Sequence, residues 1–296
     1  MKYRPLGKTG MTVSTVGVGT WQFGGDWGHD FTQAEVDAIL DEAERCGINL
    51  IDTAECYGNH LSEKFIGDYL ARRDRSKWIV ATKFGHCYDG DKKFDAFSID
   101  KVRQQLEDSL RALKMDYVDV YQFHSGNDAQ YFNESLWEML NQQKAAGKIR
   151  SLGLSISSKG DLVEQARDAR KFGIDVLQII YNRMDRRSEQ LYFPHAEREH
   201  LGVLARVPLA HGFLSGKYTT APTFTAKDWR AKFDKERILG DIREVEKIRA
   251  EVPQGMKLSQ WALAWCLKNQ AVSSVIPGCK TPAHVKDNAA AADLIV

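Results

Sequence analysis

GINLIDTAECYG, residues 47–58, holds a helix stop, a buried strand and a polar rim in one short stretch. Gly47 ends the segment Gln33–Cys46, where Val36, Ile39, Leu40 and Ala43 recur at spacings of three and four and mark one apolar helical face. Ile48–Ile51 is a short, mostly apolar run of the kind that forms a parallel strand buried on both faces. Asp52 follows it at once, and Tyr57 lies five residues on, ahead of Gly58, which suits a left-handed turn. Helix, strand, polar loop is one step of an alternating α/β chain.

The step repeats in both directions. Strand-like runs are Val16–Gly19, Ile48–Ile51, Trp78–Thr82, Tyr117–Phe123, Ile149–Ser155, Val176–Tyr181, Val203–Val207 and Ser273–Ile276. Helical periodicity marks Ile99–Leu113, with Ser98 at its N-cap position, and Glu134–Ala146, Asp161–Phe172 and Leu258–Lys268. Eight β-then-α units predict an α/β fold of the TIM (β/α)8 type, a closed barrel rather than an open sheet. Two segments break the rhythm. Residues 1–15, with Gly7 and Gly10 flanking Lys-Thr, predict an N-terminal β-hairpin. Residues 208–256 predict a functional insertion at the C-terminal face, with an extra helix over Lys235–Glu251. No linker or repeat divides the chain, so residues 1–296 read as a single domain.

Composition agrees. The chain has 296 residues, 43% hydrophobic and 27% charged, in keeping with one barrel of about 250 residues plus insertions. With 41 basic and 40 acidic residues and no like-charge run, nothing points to nucleic acid or a membrane; a small-molecule partner is expected. Five scattered cysteines without a C-x-x-C pair argue against a disulfide framework and a zinc motif, so no metal is expected. No apolar leader and no uninterrupted apolar stretch of about 18 residues is present, which predicts a cytoplasmic protein. Oligomeric state is not legible.

In a barrel enzyme the chemistry sits where strands end. Asp52, Lys83 and His124 each follow or end a predicted strand, with Tyr57 in the first of these loops. The set suits carbonyl reduction. As hydride reaches a carbonyl carbon, negative charge builds on oxygen, which needs a proton. A phenol can give it, but an ordinary pKa near 10 makes it reluctant. A lysine ammonium beside it is expected to lower that pKa, an aspartate keeps the lysine charged, and a neutral histidine orients the carbonyl oxygen.

These residues carry a family resemblance. GINLIDTAECYG closely resembles the aldo-keto reductase signature, continued by Ser62-Glu63; IVATKFG (79–85) looks like the family's lysine strand and DVYQFH (119–124) like its histidine strand. The resemblance implies Tyr57 as general acid, supported by Asp52, Lys83 and His124. It also implies a nicotinamide cofactor, NADPH in preference to NADH, laid across the barrel mouth; no G-x-G-x-x-G follows a strand, so a Rossmann site is not indicated. By similarity, Gly19, Thr20 and Trp21 lie beneath the nicotinamide end, and Ser155 and Gln178 hold its carboxamide.

PLAHGFLSGKY (208–218) resembles the family's pyrophosphate loop, which assigns Pro208, Leu209, Gly212, Leu214, Ser215, Gly216 and Lys217 to the cofactor. Gly212 and Gly216 allow close backbone approach to phosphate, and Lys217 supplies charge. SVIPGCKTPAHVKDN (274–288) resembles the adenosine-phosphate segment, with Gly278, Lys280, His284 and Asn288 as its contacts. Lys280 stands where many relatives have arginine reaching a 2′-phosphate. Two positions depart from the pattern. Ile156 replaces an asparagine after the serine, and Arg206 replaces an aromatic against the nicotinamide, where it either packs the cofactor or favours polar and anionic substrates.

Trp21, Phe23 and Trp27, with His86 and Tyr88, predict an aromatic mouth, and Tyr57 and His124 face the substrate there. The pattern looks like the bacterial general reductases acting on sugars and varied aldehydes. The expected activity is reduction of an aldehyde or ketone, a sugar-derived carbonyl included, to an alcohol. Two other readings stand beside it: an NADPH-binding regulatory or redox-sensing subunit with little turnover, and a lyase forming a Schiff base on Lys83.

Overall fold

The eight predicted runs all become strands of one parallel sheet. A computed structural model describes residues 1–90 and 92–294; residues 91, 295 and 296 of the predicted domain lie outside the described set. The chain opens with the predicted antiparallel hairpin, β1 (Tyr3–Pro5) and β2 (Thr12–Ser14). Then come β3 (Val18–Gly19), β4 (Leu50–Asp52) and β5 (Ile79–Phe84), followed by a side hairpin of β6 (His86–Asp89) and β7 (Lys92–Asp95). The barrel resumes with β8 (Val118–His124), β9 (Ile149–Ser155), β10 (Ile174–Ile180), β11 (Gly202–Arg206) and β12 (Ser274–Val275). The sheet order is β12-β11-β10-β9-β8-β5-β4-β3. Its ends meet: parallel bridges join Val16 to Val275 and Gly19 to Gly278, and the Gly17 amide donates to the Val275 carbonyl at 2.8 Å. The eight-stranded sheet closes into a barrel.

Side-chain alternation divides the core in two. Ile51, Val80, Tyr121, Phe123, Leu177 and Val203 face outward and pack with the helices in the main cluster. Leu50, Ile79, Ala81, Val120, Val176 and Leu204 face inward and meet Leu6, Met11 and Val13. The N-terminal hairpin therefore plugs the bottom of the barrel.

The helices largely follow prediction. Gln33–Arg45 has a full capping box, in which Thr32 accepts from the Glu35 amide and Glu35 reaches back to Thr32. Ile99–Leu113 and Leu258–Lys268 match their predicted spans, although Ser98 makes no capping hydrogen bond. The predicted Asp161–Phe172 helix splits into Val163–Arg167 and a 3₁₀ turn over Ala169–Phe172, with non-helical dihedrals at Asp168 between them. Leu61–Leu70 is an additional helix whose first turn buries Ser62 and Glu63, polar residues that mask its apolar face.

The insertion forms its own small core. Phe213, Leu214, Phe233, Ile238, Ile242 and Val245 pack with Leu258 and Ala262, and its helix runs over Lys235–Arg249 behind an Asp234 N-cap. It is tied to the loop after β3 by a Trp27–Asp228 bridge and by the Trp229 amide donating to Asp26 at 2.9 Å. Arg230 is buried, 2.6 Å from Asp228, and donates to the His211 carbonyl. Among the described residues, no helix is long and apolar enough to cross a membrane.

Candidate active site

The alternation that fills the barrel bottom with apolar side chains delivers polar ones to its top. Two residues beyond inward Leu50 comes Asp52; beyond Ala81, Lys83; beyond Val120, Gln122 and then His124; beyond Val176, Gln178; beyond Leu204, Arg206. Lys83 lies within β5, not after it as predicted, because the strand runs on to Phe84.

These side chains form one network. Lys83 is fully buried, and its ammonium donates to Asp52 Oδ2 at 2.8 Å, to the Thr53 carbonyl at 2.5 Å and to the Tyr57 hydroxyl at 3.4 Å. Asp52 Oδ1 accepts from Gln178 Nε2 at 2.6 Å and Gln122 Nε2 at 3.2 Å. Gln122 was missed in the sequence, although it shares strand parity with His124. A relay of buried hydroxyls fixes the rim from behind: Thr53 donates to Ser62, Ser62 to Thr20, and Thr20 to the Asp52 carbonyl. With its three donors engaged, Lys83 is not presented as the free amine a Schiff base requires.

Tyr57 is held by close packing of two loops. A Cβ on Gly24 would lie 2.5 Å from the Tyr57 carbonyl carbon, and one on Gly58 2.7 Å from the Gly24 carbonyl oxygen, so only glycine fits either place. Gly58 takes the expected left-handed conformation, φ 65°. Trp21 stacks near the Tyr57 ring, with centroids 6.2 Å apart and planes 23° apart, and Trp27 and Trp229 pack against Trp21. The His124 ring stands edge-on to Tyr57 at 6.2 Å. Phe23 is fully buried in the main core rather than lining the mouth, because it lies in the 3₁₀ turn Trp21–Gly24 with its ring against Phe31.

The electrostatics correct one expectation. Lys83 was expected to lower the Tyr57 pKa; instead desolvation of the hydroxyl and the Asp52 carboxylate hold it well above its ordinary value. The phenol is thereby kept protonated. Burial depresses His124 to about 3, so its imidazole is neutral at neutral pH. Beneath it lies Glu55, buried and also missed in the sequence. Burial pushes the Glu55 carboxyl up, but the imidazoles of His124 and His86 outweigh this and hold it below the usual range.

The residues assigned to a cofactor occupy the rest of the rim, and two features fit a large anionic ligand. Arg206 donates to the Ile156 carbonyl at 2.9 Å, yet its buried Nε has no partner. Val207, Ala210 and His211 have φ values of 56°, 46° and 57°, followed by Gly212 at 94°. Left-handed non-glycine residues cost about 1–3 kcal/mol each and cluster at ligand clamps, and mixed-hand backbone gathers N–H groups around anions. Pro208 is buried, and Ser215 donates to the Gly212 carbonyl; Gly216 is again left-handed, and Lys217 is exposed. Leu214 is fully buried, so only its backbone is available.

At the far end, Thr281 caps the helix Pro282–Ala289 by accepting from the His284 amide. Lys280 reaches back to donate to the Trp27 carbonyl at 2.7 Å. Gly278 and Gly19 meet at the barrel seam. Asn288 lies on the helix's buried face, bonded to Cys279, while His284 is exposed. Ser155 and Gln178 are buried neighbours, 3.5 Å between Oγ and Oε1.

This geometry has known counterparts. Residues 15–296 match the model of the aldo/keto reductase family. An NADH-specific methylglyoxal reductase of Escherichia coli is 31% identical, over 99% of this chain and 94% of that one. An aldo-keto reductase from Bacillus halodurans, solved in its holo form, superimposes with a TM-score of 0.82 at 28% identity, covering 98% of this chain and 90% of the other. A glycerol dehydrogenase from Gluconobacter oxydans gives 0.82 at 29% identity, covering 97% and 89%. With barrel, rim and family model in agreement, the chain belongs to the aldo/keto reductase family.

Proposed function

We propose that the protein reduces an aldehyde or ketone to an alcohol using a reduced nicotinamide cofactor, with Tyr57 as the proton donor. One observation carries the reading: a single buried ammonium, Lys83, lies 2.8 Å from the Asp52 carboxylate and 3.4 Å from the Tyr57 hydroxyl. When bound, the cofactor supplies hydride to the carbonyl carbon. The carbonyl oxygen takes the Tyr57 proton, and Lys83 stabilises the phenolate left behind. Asp52 and the Thr53 carbonyl hold the Lys83 side chain in place beside Tyr57. Neutral His124, whose Nδ1 faces Glu55 and Cys56, offers Nε2 to the same oxygen.

Gly19, Thr20, Trp21, Ser155, Gln178 and Arg206 would hold the nicotinamide end, and the 208–217 loop with Lys280 and His284 the phosphates. Hairpin, barrel and insertion act as one unit over residues 1–296, in the cytoplasm, in keeping with five free cysteines. Substrates are small polar carbonyls, the class suggested by the relatives' names, with sugar-derived carbonyls included on the sequence resemblance. The test is NADPH consumption across a panel of 2-oxoaldehydes, hydroxyaldehydes, sugars and aryl aldehydes. Turnover of at least one class is expected; tight NADPH binding without any turnover would favour a regulatory subunit instead.

The same reading prefers NADPH over NADH, with Lys280 giving a point charge to the 2′-phosphate. Lys280→Ala is expected to raise the Michaelis constant for NADPH about tenfold, about the loss of one charge-assisted contact, and to leave that for NADH nearly unchanged. Equal effects on both cofactors would remove Lys280 from this role.

A further inference from the structure

Behind the substrate face of His124 lies a group of side chains of which the reductase chemistry uses only His124 itself. Glu55, Cys56, His86 and His124 each offer one ligand atom, and these atoms all lie within 4.8 Å of one another. His124 Nδ1 is 3.7 Å from Cys56 Sγ and 3.8 Å from Glu55 Oε2, and His86 Nδ1 is 3.3 Å from Glu55 Oε1. A tetrahedral zinc ion, with bonds of about 2.0–2.3 Å, sets its ligands about 3.3–3.6 Å apart. The separations of His124 Nδ1 from Cys56 Sγ and Glu55 Oε2, 3.7 and 3.8 Å, lie close to that spacing.

A second observation points the same way. Glu55 is 2% exposed, and its Oε2 has no hydrogen-bond partner although it is aimed into this cluster. An unpaired buried carboxylate oxygen is costly, and a cation is one remedy. Behind His86 the Asp95 carboxylate lies 3.7 Å from Nε2, on the side from which carboxylates can orient a metal-ligating histidine. Cysteine spacing could not reveal such a site, because its ligands come from the loop after β4, the start of β6 and the end of β8.

We propose that Glu55, Cys56, His86 and His124 form a site for one divalent transition metal ion, zinc being the ion their mixed O, S and N donors suit best. A thiolate and a carboxylate would balance its charge, so the filled site is neutral in a buried setting. Binding at Nδ1 would leave the proton of His124 on Nε2, the tautomer able to donate to a carbonyl oxygen. That consequence rests on the reductase reading; the site itself does not.

The test uses the full chain, dialysed against a chelator and titrated with Co²⁺, then with competing Zn²⁺. One Co²⁺ per chain is expected, with tetrahedral visible bands and a near-ultraviolet thiolate-to-cobalt band, all displaced by Zn²⁺. Cys56→Ser should lose the near-ultraviolet band, and His86→Ala should weaken binding at least about tenfold, both with unchanged far-ultraviolet circular dichroism. Should either variant misfold, X-ray absorption of the zinc-loaded wild type decides, with one sulfur at about 2.3 Å and three lighter ligands near 2.0–2.1 Å expected. No binding, binding unaltered by both folded variants, or a sulfur-free shell would overturn the proposal.

Discussion

Tyr57→Phe is expected to cut carbonyl turnover by about 10²–10⁴-fold, the usual worth of a positioned general acid, while NADPH binding changes little. Only one oxygen is removed. The ring keeps its packing against Trp21 and its place between the two glycine-backed loops, so the fold has no reason to respond. The loss should appear in kcat and kcat/KM alike, as for an interaction made only in the transition state. NADPH binding by fluorescence, beside steady-state kinetics, separates the two effects. A variant that retains more than about a tenth of wild-type turnover would exclude the phenol as proton donor.

Lys83→Met is expected to be harmful for a second reason. Lys83 and Asp52 are both buried, and removing one partner of a buried ion pair typically costs about 3–5 kcal/mol, because the remaining charge is stranded. Asp52 keeps two amide donors, Gln122 and Gln178, which places the loss toward the lower end. Urea unfolding at unchanged m value measures it. Adding Asp52→Asn should restore much of the stability, since a neutral amide there strands no charge, but no activity should return. If the single variant lost less than about 1 kcal/mol, the pair would have to be far better hydrated than its burial implies.

The barrel was legible because short apolar, mostly Val- and Ile-rich runs recur eight times, several of them ending in or followed by a polar residue. Eight repeats left little room for another architecture, and the predicted spans fall within a few residues of the strands. Asp52, Lys83, His124 and Tyr57 were legible for the same reason, being the polar residues at those run ends or in the adjoining loop. Helix Leu61–Leu70 was not, since its first buried positions, Ser62 and Glu63, are polar and serve the rim. Gln122 and Glu55 were hidden too. Gln122 interrupts an apolar run only as a neutral amide, and Glu55 is meaningful only once β6 brings His86 against it.

The direction of the Tyr57 shift was beyond sequence reasoning, because it depends on how far the hydroxyl is desolvated. Pairing with lysine argues downward; burial and the Asp52 charge argue upward and prevail. A phenol with a raised pKa stays a donor throughout the physiological range. On the proposed reading it would give up its proton only as negative charge develops on the carbonyl oxygen, with Lys83, 3.4 Å away, stabilising the phenolate.

The measurement that bears most directly on this is the pH dependence of a single turnover with cofactor already bound. Only the protonated phenol can donate, and its raised pKa keeps it protonated to beyond its ordinary value; His124, depressed to about 3, is already neutral over the whole range. The rate should therefore be flat from about pH 5 to pH 9 and fall only in strong alkali. A rate that instead declined steadily as pH rose through neutrality would mean that some other acid delivers the proton.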